Sequence, residues 1–306
     1  MPIGLLVPIL LTSCRQSTKP TEQVVFVTAF GDKGPERLSY VEDFAVDSQG
    51  NILVTDALRA DVQTFTPEGV FVSAFGGQGS GDAQFEKPEG VAVDANGNIY
   101  VADYLSGFIK KFDKNRNHLL TFSGTGTGPG QTSESEFIDI NPVNNLLYVP
   151  EAGNHRISVF DLQGKFIFSF GKKGTSEGMM IKPETAKCNQ AGHVVVADFG
   201  NNRIQIFDEK GNFIQAFGQE GSGPGELRRP TGLAIDKQGN IYVCDSVNNR
   251  VQVFNSQGRF KFEWGRPGMN NGEFSNLHGI LIDDRGFIFV ADTGNNRVQV
   301  FKELGR

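Results

Sequence analysis

The feature that most limits the fold of this chain is a period. The decapeptide DTGNNRVQVF (Asp292 to Phe301) has near copies in DFGNNRIQIF (Asp198 to Phe207) and DSVNNRVQVF (Asp245 to Phe254). Aligned on the acid that opens each one, the units begin at Asp56, Asp103, Glu151, Asp198, Asp245 and Asp292, at intervals of 47, 48, 47, 47 and 47 residues. Self-similarity at a fixed spacing of this size marks a repeat architecture.

Within one unit, GLAIDKQGNIYVCDSVNNRVQVFNSQGRFKFEWG (Gly232 to Gly265), short runs of Val, Ile, Phe and Tyr are divided by DKQGN, DSVNNR and NSQGR. Runs this short, bounded by Asp, Asn and Gly, read as strands joined by tight turns. No window carries the sustained 3.6-residue periodicity of a long amphipathic helix. Four strands per unit make a propeller blade, so the expected fold is all-β, a six-bladed β-propeller of four-stranded blades.

The ends of the chain fit a closed ring. The units finish on an aromatic-Gly pair at Phe75, Phe122, Phe170, Phe217 and Trp264, but the last unit stops at KELGR. The sixth such aromatic is Phe30, in QVVFVTAFG, residues 23–31. This segment is expected to supply the outer strand of the last blade and so remove an open sheet edge.

The pattern P-x-G-hydrophobic-A-hydrophobic-D, then G-N-I-Y-V-A-D, N-x-R-hydrophobic-Q-hydrophobic-F and F-G, resembles the NHL repeat, whose family fold is a six-bladed β-propeller. The resemblance covers residues 23 to 301. Propellers host unrelated activities, so function has to be argued from the site.

The first residues differ from the rest. MPIGLLVPILLTSC is apolar, too short to span a bilayer as a helix, and ends in Leu11, Thr12, Ser13 and Cys14. It resembles a bacterial lipoprotein signal. The expected organisation is a signal peptide over 1–13, a lipidated Cys14 and polar tether over 14–22, and the propeller over 23–306. The resemblance implies an extracytoplasmic, membrane-anchored lipoprotein, in the periplasm or at the cell surface. Cys188 and Cys244 lie in strand patterns at no metal-ligand spacing and read as free thiols.

A formal net charge of −6 argues against nucleic acid as a partner. The Gly-rich loops GTGTGPG and GQEGSGPG recur from blade to blade and lack the Lys-Ser/Thr and helix of a phosphate loop. The repeated acids and arginines, such as Asp198 with Arg203, read as structure, because near-identical copies in every unit cannot all be one catalytic residue.

Departures from the chain's own repeat mark candidate sites. At the position before the Gly of the regular inner strand, and at its equivalents in the other repeats, stand Glu42, Glu89, Glu136, Glu184, Thr231 and His278. Four carboxylates and an imidazole converging on the axis would favour a divalent cation such as calcium, or a cationic ligand. Asp139 and Lys187 replace the small Ala92 and Ala234 of other inner strands and are expected to pair across adjacent blades, with the extra residue of the 48-residue interval placed in the turn NPVNN. Leu58, Arg59, Tyr104, Leu105 and Phe108 lie in the loops where other repeats carry their Asn and Arg residues, and have the composition of a recognition patch.

Six-bladed propellers that this chain resembles include lactonases with channel calcium and lyases that use histidine. No Ser-His-Asp or Cys-His set is recognisable here, and His278 alone of the histidines falls at a channel position. The expected function is a monomeric, lipid-anchored binding or scaffold module for a protein, peptide or glycan. The alternative is a metal-dependent hydrolase or lyase with a channel site.

Overall fold

A computed structural model of the protein describes residues 23–34 and 36–304. Segments 1–13 and 14–22, with Cys14, lie outside the described residues. The strands fall into six four-stranded antiparallel sheets, each a blade. Blade 1 consists of β2 (Val41–Val46), β3 (Ile52–Asp56), β4 (Asp61–Phe65) and β5 (Phe71–Gly76), innermost first. Blades 2 to 5 repeat this order. Blade 6 comprises β22 (Leu277–Ile282), β23 (Phe287–Asp292) and β24 (Arg297–Glu303), and its outer strand is β1 (Val24–Phe30).

Closure by the first strand is therefore as the sequence implies. β1 pairs with β24 from Val24 opposite Glu303 to Phe30 opposite Val298, with a bulge between Phe26 and Thr28. The Phe30 ring is buried 4.9 Å from that of Phe65 in blade 1, and the Phe26 ring lies edge-on to Phe301. One strand thus joins the last blade to the first.

Burial explains the residue pattern. Second strands such as Ile99–Asp103 and Ile241–Asp245 are buried at every position, because both faces of a blade pack on neighbouring blades. Their sequences are accordingly continuous Val, Ile, Tyr and Ala rather than alternating. Outer strands such as Phe213–Phe217 alternate half-buried and exposed.

The strands β2 and β3 turn through residues 47–51, where Asp47 Oδ1 accepts from the backbone N–H of Gln49 and Asn51 and Gly50 takes φ +82°. A Cβ at Gly50 would meet nothing, so conformation alone selects Gly here. At Gly90, Gly232 and Gly279 the reason is space, since a Cβ would lie 2.2–2.3 Å from the carbonyl oxygen of Glu136, His278 or Glu42 on the next inner strand.

The repeated acid is a buried tie. Asp245, fully buried, accepts from the backbone N–H of Arg228 and from Asn248, Arg250 and Gln252 side chains, while Arg250 also donates to the carbonyls of Ser222, Gly223 and Glu226. The same set recurs around Asp198 and Asp292. A buried charge needs such full satisfaction. The structural reading of these residues holds.

The extra residue of the 48-residue interval sits where expected. Asn141 N bonds Leu146 O, five residues on, whereas Asp47 N bonds Asn51 O, four on.

Candidate ligand-binding face and channel mouth

Every inner strand begins on the face that also carries the loops between second and third strands. The strand entry puts Glu42, Glu89, Glu136, Glu184, Thr231 and His278 at the channel mouth, with Glu42, Glu89, Glu136 and Thr231 buried and the other two half-buried. Thr231 Oγ donates within its ring to the carbonyls of Leu277 and His278.

The acids are not free. His278 Nδ1 lies 2.5 Å from Glu42 Oε2, and the Lys87 ammonium contacts Glu89. Glu136 lies beside Glu89 and Glu184, and each of these carboxyls bears on the others' titration. Burial and then the Glu184 and Glu89 charges hold Glu136 well above the carboxylate range, while burial and then Glu89 push Glu184 up to about 7. Burial alone would lower His278, but Glu42, Glu184 and Glu89 outweigh it and raise its pKa, favouring the imidazolium.

Among the described residues, no group of three or more His, Cys, Asp or Glu is arranged to hold a metal ion. The ring carries its own partners for these acids, Lys87 and His278. As placed, Glu42, Glu89, Glu136 and Glu184 do not fit a divalent ion, because their oxygens are turned to these partners and to one another.

Below the mouth, Lys187 Nζ lies 3.4 Å from Asp139 Oδ1, a direct pair across blades 3 and 4. Asp139 Oδ2 also accepts from Cys188 N. A third member, Asp43, was not singled out by the sequence reading. It stands where Gly90, Gly232 and Gly279 stand in other blades, and that departure was its signal. Asp43 is buried, accepts from Val91 N at 3.1 Å, and is pushed up to about 7 by burial, partly opposed by Lys187.

The five loop candidates divide. Leu58, Leu105 and Phe108 are 70, 56 and 39 % exposed on the mouth face of blades 1 and 2. Arg59 is committed, its Nε 3.1 Å from Asp61 Oδ2. Asp61 occupies the place of the blade arginine, and its buried second oxygen finds no partner, so Arg59 compensates a local charge. Tyr104 is half-buried beneath Lys87, whose ammonium is 4.2 Å from the ring centroid.

Phe108 stands where Arg203 stands in blade 4. Loop carbonyls that an arginine would cap are taken by Lys110, which donates to Gly81 O at 2.7 Å and also to Gln84 O. Val247, 49 % exposed at the position of Leu58 and Leu105, escaped the sequence reading because its neighbours are those of a regular repeat. Both Cys188 and Cys244 are free, and burial pushes both thiols up, which leaves them unreactive.

With this geometry in hand, comparison with known proteins bears on the fold. The NHL repeat model matches residues 85–112, 183–207, 227–254 and 274–301. Nothing among curated sequences matches the chain. Among solved structures, the chain is similar to a streptogramin B lyase at TM-score 0.64 and 17 % identity, over 88 % of this chain and 80 % of that one. It is similar to a gluconolactonase from Xanthomonas campestris at TM-score 0.66 and 14 % identity, over 87 and 86 %. An auxiliary nutrient binding protein from Bacteroides thetaiotaomicron aligns at TM-score 0.65 and 13 % identity, over 86 and 69 %. At such identities the likeness is one of fold.

Proposed function

From a chain whose NHL repeats build a six-bladed β-propeller, we propose a binding or scaffold module that takes a protein, peptide or glycan on its mouth face and is anchored outside the cytoplasm through a lipid on Cys14. The observation that carries the binding reading is the exposed apolar set Leu58, Leu105 and Phe108 on adjacent blades, beside the channel. Apolar side chains grouped on a functional face suit partner burial. No nucleic acid and no second copy of the chain is required by this reading. The anchor rests on the sequence before Cys14, and the mass of the membrane-extracted protein tests it: acyl chains on Cys14 support it, and their lack counts against it.

Capture of partners by the immobilised propeller, read by mass spectrometry and then titrated, tests the face. Leu105→Ser with Phe108→Ala is expected to weaken capture at least tenfold, about 1.4 kcal/mol, with the melting temperature nearly unchanged. Leu119→Ala, at a comparably exposed position on the outer strand of blade 2, is expected to leave capture intact. Loss of stability with capture retained would reassign these side chains to packing.

A second reading is favoured by the Glu42–His278 contact, which fixes an imidazole at the channel mouth. It is a hydrolase or lyase of the kind found among its structural neighbours. A metal-dependent form would need Glu42 and Glu89 to turn from His278 and Lys87, their present partners, toward the ion. Under this reading millimolar calcium added to chelated protein raises stability by roughly 2.7 kcal/mol at a hundred times its dissociation constant. Glu89→Gln with Glu136→Gln should abolish the rise. A melting temperature indifferent to calcium counts against the metal-dependent form.

A further inference from the structure

Two concentric rings surround the mouth. Outside the acidic one, two residues earlier in each repeat, stand Tyr40, Lys87, Glu134, Lys182, Arg229 and Asn276. On the side of blades 4 and 5 this outer ring opens into a cleft of about 480 Å³ lined by Lys182, Phe199, Asn202, Glu220, Arg228, Arg229 and Val247 among others. We propose that this cleft binds an acidic peptide segment of a protein partner, with Arg228 and Arg229 receiving a carboxylate and Phe199 and Val247 receiving an adjacent apolar side chain.

The first support is the state of the arginines. Arg156, Arg203, Arg250 and Arg297 are each paired with the buried acid of their own blade. Arg228 and Arg229 are exposed, and among the described residues neither forms an ion pair. Both residues line the cleft, so a carboxylate entering it meets two charged donors that no acid among the described residues occupies.

The second is how firmly their backbone is held. Arg228 N donates to Asp245 Oδ1 at 2.7 Å and Arg229 N to Asn202 Oδ1 at 2.9 Å, and Arg229 takes φ +51°. The main chain is pinned while the side chains extend into the cleft. The Arg229 guanidinium lies 5.5 Å from the Phe199 ring centroid, which orients it without neutralising it.

The third is Phe199 itself. Its equivalents Ser246 and Thr293 are buried and donate hydroxyl hydrogen bonds to Leu277 O and Val41 O of the next inner strand. Phe199 gives up that tie and instead presents a half-buried ring to the cleft. Val247 faces it as the second apolar wall.

Glu220 in the cleft, with Glu134 nearby on Lys182, sets the charge of the ligand. Singly charged carboxylates on an otherwise apolar segment meet the arginines with little repulsion. A nucleic acid, with a charge on every phosphate, would face these acids and the mouth ring as well. The cleft lies on blades 4 and 5, so this inference stands or falls apart from the patch on blades 1 and 2.

Fluorescence anisotropy of the propeller with a labelled six-residue peptide of Glu and Leu tests it. Saturable binding that weakens as salt rises is expected, and Arg228→Ala with Arg229→Ala should weaken it at least tenfold without moving the melting temperature. Arg259→Ala removes another exposed arginine without an ion pair, at a turn on the opposite face, and should leave affinity within twofold. No binding at millimolar peptide, or equal loss in the Arg259 variant, overturns the proposal. An oligouridylate that binds more tightly than the peptide and is lost in the same double variant assigns the cleft to nucleic acid and overturns it as well.

Discussion

A chain beginning at Lys33 is expected not to hold its native fold at ordinary temperature. Such a chain lacks β1, and with it Phe26, Phe30 and Val24, which pack on Phe301, Phe65 and the blade 5 to 6 boundary. Burial of two phenylalanines and a valine is worth about 5 kcal/mol, and the pairing with β24 is lost besides. Domains are stable by about 5–15 kcal/mol, so little margin is left. The ring would also be opened, with the edge of β24 free to pair with other chains. Thermal melts followed by circular dichroism, comparing chains that start at Gln23 and at Lys33, check this. Equal melting temperatures would mean that β1 does not close the ring.

Between pH 5 and pH 8 the protein is expected to lose stability, and Asp43→Asn is expected to recover much of the loss. Burial raises Asp43 and Glu184 to about 7, and Glu136 well above its ordinary value. In the unfolded chain these groups titrate near 4. The folded state therefore binds more protons across this window, and stability present below about pH 4 is lost as pH rises through about 7. The raised His278 acts in the same direction. For Asp43 the shift of about three pH units corresponds to at most about 4 kcal/mol.

An amide at position 43 can still accept from Val91 N, and Lys187 keeps Asp139 at 3.4 Å. At pH 8 Asp43→Asn should thus melt above the parent, and at pH 4.5 the two should coincide. The lowered carboxyls of Asp113, Asp208, Glu226 and Glu273 act only below the ordinary carboxylate range, outside this window. An Asp43→Asn variant that is less stable than the parent at pH 8 would show that the charged form is accommodated.

How far the site could be read in advance differs from residue to residue. Asp139 and Lys187 were legible as a pair because each breaks a repeat at an equivalent position of adjacent blades. Asp43 breaks the same repeat two positions away, yet it replaces a glycine, and only the close approach of inner strands at Gly90 and Gly279 reveals what that glycine is for. Arg59 and Tyr104 looked exposed from their loop positions. Their partners, Asp61 and Lys87, lie two and seventeen residues away, and the sequence does not say which way those side chains turn.

The period of 47 residues, the D-x-x-G turns and the aromatic-Gly pair at Phe30 by themselves determined six blades of four strands and the closure by residues 23–31. These are local patterns repeated, and each repeat constrains every other, so the signal adds along the chain. What only the tertiary structure decided is the state of the charges. Whether Glu42, Glu89, Glu136 and Glu184 await a cation or hold protons, Lys87 and His278 among themselves depends on distances across the axis and on exclusion of water. Both arise from ring closure, which brings the six mouth positions together although successive ones are a full repeat apart in sequence.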